Sequence, residues 1–479
     1  METKKVNLKK LSVYIVAIYV FIITAFYYVA GEQLYYRNSE DVISSLEGDI
    51  ATPEITTEFS VKQTFLCEMS RITELDLRLA TFARVNYGTV AINIWDETEQ
   101  RIIWNHTIDV SNLQDSVVTE IEFEKPIGGV YGHVLSIEML SKDAWSGNAV
   151  APWYQSTLYQ ENMQLYYNGE PVSGVLCFHL AGQEDVWTGS HYWQLAVGLG
   201  SVIGFYLLLM IYKEKKDKKN FGLTAIYVLQ KYRFLIKQLV ARDFKTKYKR
   251  SALGMLWSFL NPLLTMMVQY FVFSTIFKAE IEHYPVYLLA GIVLFGFFSE
   301  VTGACIYVIV SNASLINKVY MPKYIYPVSK VLSSTVNLLI SLLPLLLVAV
   351  VTKVEITKAL LISPFILVCL MLFSLGIGFV LATGMVFFRD IQFIWSVISM
   401  VWMYSTPIFY PESILPEQFK VWLDINPLYI FIQFFRTLLI DGISPEPMMY
   451  VKCALFAVGS LLIGAFVFKK GQDKFVLYL

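Results

Sequence analysis

The chain has 479 residues, of which 56% are hydrophobic, 15% aromatic and only 16% charged. Soluble domains carry about 25% charge, so this composition excludes a single water-soluble globule, and the aromatic content excludes disorder. The formal net charge of −1 hides a separation: residues 31–190 hold 24 acidic against 8 basic side chains, leaving 15 against 30 elsewhere. An acidic, soluble-looking segment lies within a basic, apolar chain, which is the composition of an integral membrane protein.

A hydrocarbon core about 30 Å thick takes roughly 20 apolar residues of helix. Leu11 to Gly31 carries no charge, follows Lys4, Lys5, Lys9 and Lys10, and ends in Phe26-Tyr27-Tyr28 with no small-x-small cleavage site, so residues 1–31 read as a retained anchor. Residues 32–60 read as a polar stalk. Between 61 and 180 apolar residues alternate, as in Ile72 to Leu79, Val90 to Trp95 and Leu135 to Met139, with turns at Asn86-Tyr87-Gly88, Gly128-Gly129 and Asn168-Gly169. Short strands at this spacing predict an antiparallel β-sandwich, jelly-roll-like, within 32–185. The next uncharged run is Val186 to Tyr212, closed by the Lys-rich 213–219, and predicts a second transmembrane helix over 186–212. Lysines flanking both anchors place those flanks in the cytoplasm and the acidic segment outside.

In the sandwich, Trp95, Trp104, Trp145, Trp153 and Tyr154 are candidate sugar-stacking rings, although core packing accounts for most such aromatics. Cys67 and Cys177 fall on early and late strands. They are either a disulfide, contributing roughly 4–5 kcal/mol in the chain-entropy model, or two separately buried thiols. Cys305, Cys369 and Cys453 read as small core residues. The histidines are scattered and no carboxylates are suggestively paired, so no catalytic residue and no metal ligand is expected.

Residues 213–250 read as a cytoplasmic linker and an amphipathic interfacial helix, with Leu229, Tyr232, Leu235, Ile236 and Leu239 on one face among lysines and arginines. From 251 to 479 the chain is almost continuously apolar, with candidate spans at 252–277, 285–310, 328–351, 359–387, 391–409 and 448–468. Pro427 to Ile440 contains Arg436 and is too short to cross, so 410–447 reads as a re-entrant hairpin entering from the outer face. The expected fold is a polytopic α-helical membrane protein with a core of six spans plus that hairpin. Two extra N-terminal spans enclose the extracytoplasmic sandwich, and both termini are cytoplasmic. Glu300 is the one acid at real membrane depth and is expected to pair with a neighbouring helix.

Several runs carry a resemblance. They are Arg242 to Arg250 leading into Ser251-Ala252-Leu253-Gly254-Met255-Leu256-Trp257 and Asn261-Pro262-Leu263, Asn312 to Pro322, and Ile325-Tyr326-Pro327. Phe387-Phe388-Arg389-Asp390-Ile391, Thr406-Pro407-Ile408-Phe409-Tyr410 and Asn426-Pro427-Leu428-Tyr429 complete them. In this order, over residues 225–479, the chain resembles the permease subunits of ABC-2 type exporters for O-antigen, teichoic acid and other lipid-linked polysaccharides. The family's minimal pattern has no counterpart of residues 1–220.

The resemblance implies a transport permease and not an enzyme, working as a homodimer with two copies of a separate ATPase subunit that holds the ATP and Mg. No phosphate-binding Gly-x-x-x-x-Gly-Lys-Ser/Thr loop occurs in the chain itself, no cofactor of its own is implied, and nucleic acid is not an expected partner. It further implies an ATPase-coupling loop at Asn312, Leu315, Ile316, Lys318, Tyr320, Met321, Pro322, Tyr326 and Pro327. Arg242, Lys245, Lys247, Lys249, Arg250, Ser251 and Gly254 become a gate loop receiving a lipid pyrophosphate. Trp257, Tyr270, Phe273, Trp395, Trp402, Tyr404, Phe409 and Tyr410 become candidates for a glycan path, each equally open to packing or lipid contact. Rival readings are a drug or simple-lipid ABC-2 permease, and a membrane-embedded glycosyltransferase or polymerase with an outer carbohydrate module.

Overall fold

The computed structural model describes residues 7–41, 46, 48–157, 162–216, 221–249, 251–277, 283–318 and 321–478. The chain divides into two compact units, one of residues 34–191 and one of residues 1–33 with 192–479.

The smaller unit is β-rich. Its strands are β1 Tyr36–Asp41, β2 Ile50–Ala51, β3 Val61–Leu66, β4 Arg71–Ala80, β5 Thr89–Asp96, β6 Arg101–Asp109 and β7 Val118–Gly128. Then follow β8 Val134–Leu140, β9 Ala151–Gln155, β10 Gln164–Tyr167, β11 Glu170–Val172, β12 Val175–Leu176 and β13 Phe178–Asp185. One sheet runs β1-β13-β4-β9-β12, with β2 added at β9 and β7 at β4; the other runs β11-β10-β3-β8-β5-β6. Alternate residues of β3 and β5 are buried, as the sequence period demands. Phe65 of one sheet meets Phe178 of the other at 5.4 Å between ring centroids, inside a core that includes Leu75, Leu77, Ile92 and Ile137.

One expectation changes here and one open alternative is resolved. Part of the expected stalk is sheet, because β1 pairs antiparallel with β13 from Tyr36 opposite Asp185 to Asp41 opposite Leu180. Cys67 and Cys177 are not bonded to each other. Cys67 follows β3 in one sheet, with its Sγ 3.5 Å from the Met69 carbonyl oxygen, while Cys177 precedes β13 in the other. Both are buried, and burial pushes the Cys177 thiol up to about 11.

The larger unit is helical, with α1 Leu8–Ala30, α2 Tyr192–Lys215, α3 Phe221–Tyr248, α4 Leu256–Phe277, α5 Tyr284–Tyr307 and α6 Ala313–Lys318. These are followed by α7 Ile325–Val351, α8 Ser363–Phe387, α9 Ile391–Tyr404, α10 Glu417–Ile425, α11 Pro427–Leu439 and α12 Pro447–Gly471. Among the described residues seven helices are long and apolar enough to cross a membrane: α1, α2, α4, α5, α7, α8 and α12. The sequence reading expected eight. The difference is 391–409, where α9 stops at Tyr404 after 14 residues. Pro407 has no N–H and its ring would clash with the Met403 carbonyl, while Thr406 before it is steered out of helical geometry. At 1.5 Å per residue α9 rises about 21 Å, short of the hydrocarbon core.

Tyr192 of α2 donates its hydroxyl to the Ile23 carbonyl of α1 at 2.7 Å, and Phe26 of α1 meets Tyr450 of α12 edge-on at 5.1 Å. The extra anchors therefore dock onto the core helices. α8 and α12 approach most closely at Gly376 and Gly464, where a Cβ on Gly464 would fall 2.1 Å from the Gly376 carbonyl oxygen. Only small residues permit that contact.

A buried carboxylate makes the β unit acid-sensitive. Asp96 is fully buried; its Oδ2 lies 2.8 Å from His133 Nδ1, and its Oδ1 accepts from the Thr98 and Glu99 amides at 3.1 Å. Burial drives this carboxyl up, but the hydrogen bonds outweigh it and hold it below the ordinary range. A folded pKa below the unfolded value of about 3.9 gives stability that is present above that pH and lost as pH falls through the folded value. Thermal unfolding of the 34–191 unit should be flat from about pH 7 to 5 and decline below about pH 4. Asp96→Asn should lower stability at pH 7 and flatten that acid slope.

Candidate functional site

Polar side chains recur at intervals of three and four in two otherwise apolar helices: Ser258, Asn261 and Thr265 in α4, and Ser334, Asn337 and Ser341 in α7. That spacing puts each set on one helix face, and in a membrane such a face must turn to protein or to water. The two faces meet around a cavity of about 410 Å³, closed by Gly296 and Glu300 of α5 and by Lys247 and Tyr248 at the end of α3, with Trp257 on its wall.

Glu300 organises the cavity. Its Oε1 accepts from Lys247 Nζ at 3.0 Å, Ser334 Oγ at 3.1 Å and Asn337 Nδ2 at 2.7 Å. Tyr248 donates to Asn337 Oδ1 at 2.9 Å and also meets Ser258 Oγ. Ser341 Oγ donates to the Ser258 carbonyl at 3.1 Å, tying α7 to α4. The pairing expected for Glu300 is present, and its cationic partner comes from the gate loop itself.

The other gate-loop residues divide. Arg242 pairs with Asp243 at 3.2 Å, and Asp243 with Lys330 of α7 at 2.7 Å. Lys245 and Lys249 are exposed, and Arg250 lies outside the described residues. Gly254 sits at φ +51°, a left-handed position that admits glycine freely, and donates its N–H to Ser251 Oγ at 3.1 Å. The loop therefore turns sharply into α4.

The expected coupling loop is mostly an internal structure. Asn312 is buried and donates to the Val308 carbonyl at 2.8 Å. Ile316, Tyr326 and Pro327 are buried, Met321 and Pro322 are half-buried, and Tyr326 donates to Met321 Sδ at 3.4 Å. Leu315 is the named apolar residue left exposed. Lys318 closes α6, and Tyr320 lies outside the described residues. Ile316 and Tyr326 share a core with Ile236 and Leu239 of α3, so coupling loop and interfacial helix form one packed body.

The expected glycan-path aromatics do not line one channel. Trp257 alone faces the cavity. Trp395 and Trp402 pack on Phe298, and Trp402 Nε1 donates to Asn426 Oδ1 at 2.8 Å. Phe273 stacks on buried Phe409 at 5.3 Å. Tyr270 lies against Tyr284, and Tyr410 donates to the carbonyl of exposed Tyr404 at 2.7 Å. These rings support the re-entrant segment. Arg436, almost fully buried, completes that support by donating to the carbonyls of Pro407 at 2.8 Å, Tyr287 at 3.1 Å and Ile408 at 3.2 Å, with its guanidinium over the Tyr287 ring.

In the β unit, Trp95 donates to Glu138 at 3.0 Å, Trp104 packs on His106 and Phe123, and Trp153 donates to Ser116 at 3.2 Å under Arg78. Tyr154 packs near Tyr167. Of the five expected sugar-stacking rings, Trp145 alone is mostly exposed, at 63%. Tyr87, at 66%, lies on a neighbouring loop joined to it through Asn148, which bonds both the amide and the carbonyl of Tyr87 at 2.8 Å. Asp96, Glu99 and His133 come close enough to share a metal ion, a grouping that their spacing in the sequence conceals. Asp96 already caps a turn there and Glu99 pairs with Arg101 at 2.8 Å.

Residues 234–440 match the model of the ABC-2 type transporter family, a range that contains the cavity, the expected coupling loop and most of the expected re-entrant hairpin. That segment is similar to the ABC-2 type transporter membrane domain. An O-antigen export system permease of Myxococcus xanthus is 29% identical over 253 residues, 52% of this chain and 96% of the relative. One from Klebsiella pneumoniae is 28% identical over 50% of this chain and 93% of its own length. A polysialic acid transport protein of Escherichia coli is 24% identical over 50% of this chain and 93% of its own. The resemblance to polysaccharide-exporter permeases read from the motifs is thus borne out, and the relatives span only the ABC-2 half.

Replacing Arg436 tests the support of the hairpin. Arg436→Met removes the guanidinium from three carbonyls, of which that of Pro407 keeps the Tyr287 hydroxyl at 3.3 Å, and should cost about 2–4 kcal/mol in unfolding of the purified chain. Arg436→Lys should not restore it, because a single ammonium cannot reach carbonyls on two segments as a guanidinium does.

Proposed function

We propose that the chain is the transmembrane subunit of an ABC transporter that exports a lipid-linked polysaccharide, such as an O-antigen or teichoic acid, across the cytoplasmic membrane. The observation that carries this reading is the match to polysaccharide permeases over almost their whole length. Two copies form the pathway, and two copies of a separate ATPase subunit supply ATP and Mg. Both termini are cytoplasmic and the 34–191 unit is extracytoplasmic; the lysines bracketing the anchors support that orientation. The gate loop with its cationic residues receives the lipid pyrophosphate, and the coupling loop seats in the ATPase. Exposed Leu315 is its docking side chain, while buried Ile316 and Tyr326 pass the motion to α3 and α7.

Purified alone, the chain should show no ATP hydrolysis, and activity should appear on adding its ATPase subunit. Leu315→Asp places a charge in an apolar contact and should abolish co-purification with that subunit while leaving insertion intact. Met321→Asp should instead destabilise the loop, since Met321 packs inward. Turnover by the chain alone would remove the exporter reading.

The outer unit holds or guides the emerging glycan, with Trp145 and Tyr87 as the stacking rings. Tethering makes even millimolar affinity useful. Titrating residues 34–191 with the organism's own polysaccharide should shift the NMR signals of Trp145 and Tyr87 and not those of Trp104. No shift up to several millimolar repeat units, together with normal export after removal of the unit, would leave it a structural cap.

A further inference from the structure

Lys247 belongs to the cationic stretch that the proposed function assigns to a phosphorylated lipid, yet it is already in an ion pair. Glu300 comes from a different helix and lies 3.0 Å away. The carboxylate is held whether or not Lys247 stays, because Ser334 and Asn337 also donate to it and Asn337 is fixed in turn by Tyr248. Lys247 is held less tightly: it is a long side chain at the end of a helix, 45% exposed, and beyond Glu300 its ammonium has only a distant contact, 5.9 Å, with the Tyr248 ring. The pair is therefore a rigid acid holding a mobile base. Both members border the cavity, where Ser258, Asn261, Thr265 and Ser341 offer further hydroxyl and amide groups to an entering polar head.

We infer that Glu300 is an internal competitor for the phosphate at this site: it occupies Lys247 while the cavity is empty, and the phosphate of an arriving diphosphate replaces it. This rests on the gate-loop reading above. A half-exposed ion pair is weak, so a group carrying two or three negative charges displaces it. Every anion must break the same pair, so Glu300 lowers occupancy by all of them equally. Abundant monoanionic phospholipids then fall below half-occupancy while a diphosphate stays above it. Glu300 thus keeps the gate loop from being filled by the surrounding membrane.

The test uses the full chain in phosphatidylcholine nanodiscs with three probes: a polyprenyl diphosphate, inorganic pyrophosphate and phosphatidylglycerol. Glu300→Gln keeps the shape and the bonds to Ser334 and Asn337. It should bind both diphosphates about three- to tenfold more tightly and make phosphatidylglycerol binding measurable. Lys247→Met should weaken diphosphate binding, and adding Glu300→Gln to it should change nothing further, since the two residues act through one contact. Unchanged or weaker diphosphate binding by Glu300→Gln, with a lowered unfolding temperature, would overturn the inference and leave a structural ion pair. If the wild type binds polyprenyl diphosphate no better than phosphatidylglycerol, the lipid-substrate reading of the gate loop fails. The competitor role then stands or falls on whether Glu300→Gln tightens inorganic pyrophosphate through Lys247.

Discussion

Within a membrane every backbone carbonyl that leaves a helix needs a donor from the protein, and the helical unit depends on how it meets that demand between α9 and α11. The chain breaks at Pro407 and does not resume a long helix until α12. Arg436 covers the carbonyls of Pro407 and Ile408 and also that of Tyr287 in α5. Tyr284 donates to the Phe409 carbonyl at 2.6 Å and Tyr287 to that of Tyr410 at 3.0 Å. Asn426 bonds Thr406 at 2.9 Å, accepts from Trp402, and caps α11 through Leu428 N at 3.2 Å. Taking a guanidinium out of water is costly, and here it is offset by three carbonyls and an aromatic face. The aromatics that a sequence reading assigns to a glycan path are therefore engaged in holding a broken segment.

The same demand explains the cavity. Ser258, Ser334, Asn337 and Ser341 can sit in apolar helices because they bond Tyr248, Glu300 or one another, and Asn261 because it faces the cavity. α7 carries both ends of the working parts. Tyr326 in its first turn lies in the core shared by the coupling loop and α3, and Asn337, three turns on, holds Glu300. Asp243 of α3 is tied to Lys330 of α7 between those points. A displacement of the 312–327 loop has a continuous packed route to the cavity through α7.

How much of this was legible in the sequence depends on whether the cause was local. Spans, strands and the interfacial helix follow from runs and periods, and α4, α5, α7, α8 and α12 lie within a few residues of expectation. The end of α9 was also legible, since Pro407 states it, but apolar composition through residue 409 masked it. The cavity was half visible: the two polar stripes share the spacing three then four, while their meeting across helices is tertiary. Lys247 read as a free cation because its partner lies 53 residues away. The sheet position of residues 36–41 had no local signal; β1 exists because β13 offers it an edge. The choice between a disulfide and separate thiols turned on where the two side chains lie in the folded core, which spacing cannot tell.

That β1–β13 pairing also bears on why the chain is twice the length of the relatives. The first and last strands of the β unit lie side by side, from Tyr36 opposite Asp185 onward. The helices before and after it, α1 and α2, are likewise packed together, through Tyr192 on Ile23 and Tyr19 on the Ala196 carbonyl. A unit whose two ends emerge together can be joined to a helical pair without disturbing either. The relatives are matched over 93–96% of their length by half of this chain, so residues 1–220 have no counterpart in them. The contacts that fix the anchors to the core helices, Phe26 on Tyr450 and Gln33 on the Ser444 amide, fall at the α11–α12 connection and the start of α12. Both contacts thus meet the core at residues outside the cavity, the 312–327 loop and α3.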